Sequence, residues 1–196
     1  MLLDVLPSRG VRTARGAARS DWELKNWGAG PRLAVVGPGG SHALARAGST
    51  TLRRAAKLAR CWGYSGVTLA DLGMPAASSH AAAAAPGVLG LGGVLRLAAE
   101  HDLIVLAWGT QIDPDQSRAV AAQLWRALAR GGGSLGVLGW TPGGQPCEMS
   151  WQLCGSVIPQ CLTAGAHRSF ADVDRHWAQL LWVPEAGEFA GQEGVR

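Results

Sequence analysis

Residues 31–40 read PRLAVVGPGG. After Pro31 and Arg32, the four apolar residues Leu33 to Val36 run without polar alternation into a proline and three glycines. A continuous apolar run suits a strand buried on both faces, which is the habit of parallel sheets. The Gly-Pro-Gly-Gly that follows reads as a tight turn at the strand's carboxyl end. From this stretch the rest of the chain falls into phase. Val67 to Leu72 reads as a second strand, LIVLAW at 103–108 as a third and LGVLGW at 135–140 as a fourth.

Helical segments alternate with these runs. Thr50 to Trp62, opened by Ser49, sets Leu52, Ala55, Ala56, Leu58 and Ala59 on one side and Arg53, Arg54, Lys57 and Arg60 on the rest. Gly63 closes it. Val94 to His101 reads as a helix. Pro114 opens another, capped by Asp113 and running to about Arg130. Phe170 to Leu181 reads as a last helix. The order implies an α/β chain: a three-layer α/β/α sandwich around a four-stranded parallel sheet, the first strand lying between the second and third. DWELKNWGAG at 21–30 reads as a short aromatic segment ending in turn glycines, and residues 73–93, with an alanine run at 81–85, as a small-residue connection.

The chain has 196 residues, 47% apolar and 16% charged, with a formal net charge of +4. This suits a single domain over residues 21–183, with a basic leader at 1–20 and a tail at 184–196. The leader holds Arg9, Arg12, Arg15 and Arg19, with no acid between Asp4 and Asp21. Lys25 and Lys57 are the only lysines, and the arginine bias with abundant Ala and Gly is a compositional habit before it is a chemical one. No run of 18 apolar residues exists, so no membrane partner is expected. Cys61, Cys147, Cys154 and Cys161 show no CxxC spacing. They are expected to be reduced, mostly buried thiols of a cytoplasmic protein, with no metal and no cofactor.

Ligands of open parallel sheets bind beyond the carboxyl ends of the strands. In the first loop, Gly37, Gly39, Gly40 and Ser41 offer backbone N–H groups near a helix, a candidate phosphate cradle. It has neither the Walker lysine nor a GxGxxG pattern. Asp71 ends the second strand and is a candidate acid or base, as is Glu148, the only acid of the fourth loop. Trp108 ends the third strand and is a candidate stacking surface for a base, or plain core. Arg53 and Arg54 are candidates for phosphate.

STTLRRAAKLARCWGYSGVTLADLG at 49–73, LIVLAWGT at 103–110 and LGVLGWTPGGQP at 135–146, with DWELKNW and GPRLAVVGPGG before them, resemble domain-of-unknown-function family 1643. The resemblance spans residues 21–151 in order, and its most specific part is the arginine helix followed by WGY. It implies the layout of the uracil-DNA glycosylase superfamily, in which a loop after the first strand supplies a polar catalytic residue and a late loop supplies a histidine that stabilises the departing base. Arg53, Arg54, Trp62, Gly63, Trp108 and Gly109 match the pattern. The polar positions do not. Gly37 stands where the family has asparagine in the first loop, Gly48 or Ser49 where it has an aspartate before the helix, Asp71 where it has asparagine, and Glu148-Met149 where it has histidine-proline. The resemblance therefore implies a protein that acts on or binds a nucleobase, nucleotide or nucleic acid, with altered loop chemistry. The alternative is a non-catalytic binding or interaction module on the same scaffold.

Overall fold

A computed structural model describes residues 22–37, 41–72, 91–149, 157–163 and 174–181. Strands β1 (Trp22–Asn26), β2 (Arg32–Gly37), β3 (Gly66–Asp71), β4 (Leu103–Leu106), β5 (Ser134–Val137) and β6 (Gln160–Thr163) alternate with helices α1 (Ser41–Cys61), α2 (Leu91–Glu100), α3 (Pro114–Gly131) and α4 (Arg175–Leu181). The strands form one sheet in the order β1-β3-β2-β4-β5-β6.

The four apolar runs are the parallel strands, and β2 does lie between β3 and β4. The sheet is nevertheless six-stranded and mixed, not four-stranded and parallel. β1 adds antiparallel to β3, with Trp22 opposite Ala70 and Asn26 opposite Gly66. β6 adds antiparallel to β5 at the other edge. Edge strands meet solvent along one side, so they lack the continuous apolar run that reveals a central strand. DWELKN instead alternates polar and apolar residues.

The two faces of the sheet carry separate apolar clusters, because successive strand side chains point to opposite faces. Leu33, Val35, Val67, Leu69, Leu103 and Val105 meet Ala55, Ala56 and Ala59 of α1. Ala34, Val36, Ile104, Leu106, Leu135 and Val137 meet Leu97 of α2, Leu124 and Leu128 of α3, and Trp177 and Leu180 of α4. Helices thus cover both faces. At β5, Gly136 leaves the Leu103 side chain room: a Cβ there would lie 3.2 Å from its Cδ1.

Helix α1 begins at Ser41, eight residues before the expected Ser49. The added turns, Ser41 to Gly48, hold Ala43, Leu44, Ala45, Arg46 and Ala47, all strong helix formers, and a single glycine does not outweigh them. Consequently Gly48 and Ser49 lie inside the helix and not ahead of it. Helix α3 starts as its sequence dictates: the Asp113 carboxylate accepts hydrogen bonds from the N–H groups of Asp115 at 2.9 Å and Gln116 at 3.2 Å. It ends at Gly132, left-handed with φ 75°. Residues 81–85, Cys154, and the first part of the expected 170–181 helix fall outside the described residues.

Cys61, Cys147 and Cys161 are free thiols. The expectation of burial fails for Cys61 and Cys161, which are exposed, one at the last turn of α1 and the other on an edge strand. Among the described residues no helix is long and apolar enough to cross a membrane.

One polar pair is sealed into the α2 side. His101 is 5% exposed and Thr68 is 1% exposed. His101 Nδ1 lies 2.9 Å from the Leu97 carbonyl, which can only accept, so Nδ1 carries the proton. Nε2 then accepts from the Thr68 hydroxyl at 2.7 Å. Burial holds this imidazole below its ordinary pKa. The unfolded chain therefore takes up a proton more readily than the native state. Stability is full above about pH 6.5, the unperturbed histidine value, and falls as pH drops below it. Urea unfolding between about pH 5 and 7 is expected to show this loss in the wild type and not in Thr68→Val/His101→Leu. His101→Leu alone strands the Thr68 hydroxyl and is expected to cost about 1–3 kcal/mol at pH 7. Equal pH slopes in the wild type and the double variant would refute the assignment.

Candidate functional site

The carboxyl ends of β2 to β5 open on one edge of the sheet. Gly37 and Asp71 are register partners there, and the Leu72 N–H donates to the Gly37 carbonyl at 3.2 Å. Neighbouring parallel strands stand about 4.8 Å apart, so the ends of β2 and β3 form one local surface. Ser41 begins α1 a short step from Gly37. Gly39 and Gly40 lie outside the described residues, so the proposed cradle is placed only at its two ends.

The loops after β4 and β5 are tied across this edge. The chain leaves β5 through Leu138-Gly139-Trp140, turns, and returns with Trp140 bridged to Pro146. The Gly109 N–H donates to the Pro146 carbonyl at 2.9 Å, and the Cys147 N–H to the Gly139 carbonyl at 2.9 Å. Underneath, the fully buried Ser117 of α3 donates its hydroxyl to Gln145 Oε1 at 2.6 Å. The Trp108 Nε1–H reaches the same oxygen at a longer 3.5 Å. The Gln145 N–H in turn donates to Thr141 Oγ1 at 3.0 Å. Gln145 thus fastens the returning hairpin to α3.

Glu148 is the group this hairpin delivers. Its side chain is exposed, and Oε1 accepts from Gln111 Nε2 at 2.7 Å. It lies against the bare α-carbon of Gly109: a Cβ there would stand 2.5 Å from Glu148 Cγ. Gly109 also has φ 63°, a left-handed conformation that side chains resist. The two requirements coincide at one residue. Beside it, burial and then the Glu148 carboxylate raise the Cys147 thiol above its ordinary pKa, so it stays protonated and a poor nucleophile at neutral pH.

The other candidates separate. Trp108 is 0% exposed and belongs to the core cluster, which leaves no indole face for a ligand. Arg53 and Arg54 are exposed on α1, about 18 Å along the helix axis from Ser41, away from the carboxyl edge. They do not share a site with Asp71 and Glu148.

Two groups at this edge escaped the sequence reading. Gln111 and Gln145 carry no motif, and a glutamine's partner depends on packing. His176 and Asp174 form the other group. The Asp174 carboxylate accepts from the His176 N–H at 2.9 Å and pairs with Nδ1 at 2.6 Å. Those bonds hold its carboxyl below the usual carboxylate range. The imidazole stacks on Trp140, centroids 5.2 Å apart. The Asp-x-His spacing ahead of an apolar helix was the available signal. The bonds make Asp174 the cap of α4 and fix the ring's orientation.

Among the described residues no cluster of His, Cys, Asp and Glu suits a metal ion. The edge offers a carboxylate beside an amide, an acceptor next to donors. Comparison of the chain with protein-family models, curated proteins and solved structures finds no match.

Gly109→Ala is expected to destabilise the fold by about 1–3 kcal/mol in urea unfolding, through left-handed strain and the collision with Glu148. Adding Glu148→Ala removes the collision and leaves the strain, so the double variant is expected to recover part of the loss. A Gly109→Ala protein as stable as the wild type would contradict the Gly109–Glu148 contact.

Proposed function

We propose that the carboxyl edge binds a nucleobase-bearing small molecule, a nucleoside or nucleotide, and that the chain is a divergent member of domain-of-unknown-function family 1643 with a uracil-DNA glycosylase-like layout, working in the cytoplasm with its thiols reduced. The observation that carries this reading is the Gln111–Glu148 pair, an oriented and exposed carboxylate at the strand ends. A carboxylate accepts hydrogen bonds from an exocyclic amine of a base, as glutamate does with cytosine. The amide beside it supplies a donor. Asp71 at the end of β3 is the second acid of the same edge.

Binding is favoured over cleavage on chemical grounds. Cleaving a glycosidic bond places negative charge on the departing base, and a catalyst aims donors at that charge. Glu148 stands where the family resemblance would put a histidine, and an ionised carboxylate there repels it. On this reading the edge binds its ligand without cleaving it.

Titration calorimetry of the full chain with cytidine, adenosine, guanosine and their 5′-monophosphates tests this, with uridine as the base lacking an amine. At least one amino-bearing base is expected to bind more tightly than uridine. Glu148→Gln is expected to weaken that ligand about tenfold to a hundredfold, the loss typical of a hydrogen bond to a charged group. Failure of all of them to bind at millimolar concentration, or equal binding by Glu148→Gln, would overturn the reading.

A further inference from the structure

The structure divides what the sequence suggested was one site. With Arg53 and Arg54 removed from the carboxyl edge, the outer face of α1 stands as a surface of its own. The 21-residue helix carries Arg46, Arg53, Arg54, Lys57 and Arg60 and not one acid. Arg53, Arg54, Lys57 and Arg60 are exposed. At 100° per residue, Arg53, Lys57 and Arg60 fall within one narrow stripe along the axis, and Arg54 flanks it. The stripe spans about 10 Å from Arg53 to Arg60. Arg60 is held in place over the Trp27 ring, 4.4 Å from its centroid. The strands beneath carry Glu23 beside Lys25 on β1, and Asp71 at the carboxyl end of β3. The Arg53–Arg60 half lies toward the opposite, amino end, where the Tyr64 N–H donates to the Ala59 carbonyl just before β3 begins.

We propose that this face of α1 binds the phosphodiester backbone of nucleic acid, without reading its sequence. Two alternatives lack the chemistry they need. An amphipathic helix that lies on a membrane inserts its apolar face. Here Ala55, Ala56, Leu58 and Ala59 are buried inside the protein, so the described side chains of α1, in its Arg53–Arg60 half, leave no apolar face to insert. A stable protein partner needs a desolvated apolar or aromatic anchor at the centre of its interface. The exposed large hydrophobic residues among those described are Leu95 and Ile158, and neither lies on α1. A phosphate backbone asks only for spaced cations, through release of its condensed counterions. Guanidinium groups suit phosphate in particular, since their planar fork donates two parallel hydrogen bonds. This surface is independent of the nucleoside reading of the carboxyl edge, and either can stand if the other falls.

The test is fluorescence anisotropy of the full chain with two 20-base-pair duplexes of unrelated sequence, from about 50 to 200 mM KCl, the range where such contacts weaken steeply. The duplexes are expected to bind alike. Arg54→Ala/Lys57→Ala is expected to lower the slope of log K against log salt by about 1.8, about 0.9 for each lost phosphate contact. Both positions are exposed, so an unchanged thermal unfolding curve serves as the control for folding. The charge-reversed Arg54→Glu/Lys57→Glu is expected to bind more weakly still. Glu148→Gln is expected to leave the slope unchanged, which separates this surface from the carboxyl edge. The basic leader is a competing source of the same electrostatics. Replacing Arg9, Arg12, Arg15 and Arg19 with alanine is expected to leave the α1 effect intact. An unchanged slope in Arg54→Ala/Lys57→Ala would overturn the proposal. So would loss of all duplex binding with the leader substitutions, or retention of heparin or of phosphatidylserine vesicles without retention of duplex.

Discussion

The hydrogen bond from Ser117 to Gln145 is the constraint on which the carboxyl edge depends. Both ends are expensive to leave unpaired: Ser117 is fully buried, and the Gln145 carboxamide oxygen faces it at 2.6 Å. The bond joins the first turn of α3 to the hairpin that follows β5, two segments that approach only when the sheet and its helices are in place. Trp108 shares the same oxygen, so the end of β4 enters the arrangement through a weaker, longer contact. Gly109 and Pro146 then close the loop, and Glu148 emerges two residues later against the Gly109 α-carbon. An exposed carboxylate is thus positioned by a buried serine.

This explains why Trp108 and Glu148, neighbours at the same edge, divide the labour. Trp108 is core and carries the weight of packing below the edge. Glu148 is exposed and takes its orientation from Gln111. The electrostatics divide as well. Acids stand at the strand ends, at Asp71 and Glu148, while every charged residue of α1 is a cation. The two regions suit different ligands: the edge has acceptors for amine and ring N–H donors, and the helix has donors for phosphate.

The sequence was most readable where burial is complete. LAVV, LIVL and LGV are strands with apolar residues on both faces and no polar interruption to mislead, and VTLA is interrupted only by Thr68, whose hydroxyl is paired inside. Asp113-Pro114 and Gly132 announced α3 because caps act locally. β1 and β6 were missed because an edge strand's partner is chosen by tertiary packing. The start of α1 was missed because Ser49 offers a cap while the residues before it also favour helix. At the site, Asp71 and Glu148 were legible as lone acids at strand ends. Gln111, Gln145 and the Asp174–His176 pair were not, since their meaning lies in contacts across 28 or 37 positions of chain or in a cap. Arg53 and Arg54 were legible as basic and exposed, but not as distant from the edge, because that depends on the length of α1.

The most direct test of this account is a double-mutant cycle on the tie itself. Ser117→Ala, Gln145→Leu and the pair are compared with the wild type by urea unfolding. Such a hydrogen bond predicts that each single change costs about 1–3 kcal/mol: Gln145→Leu strands the buried Ser117 hydroxyl, and Ser117→Ala leaves the Gln145 oxygen only its longer contact with Trp108. The double variant is then less destabilised than the sum, with a coupling of about 0.5–3 kcal/mol. Additive losses, with no coupling beyond about 0.5 kcal/mol, would show that Ser117 and Gln145 do not meet and that the carboxyl edge is held by something else.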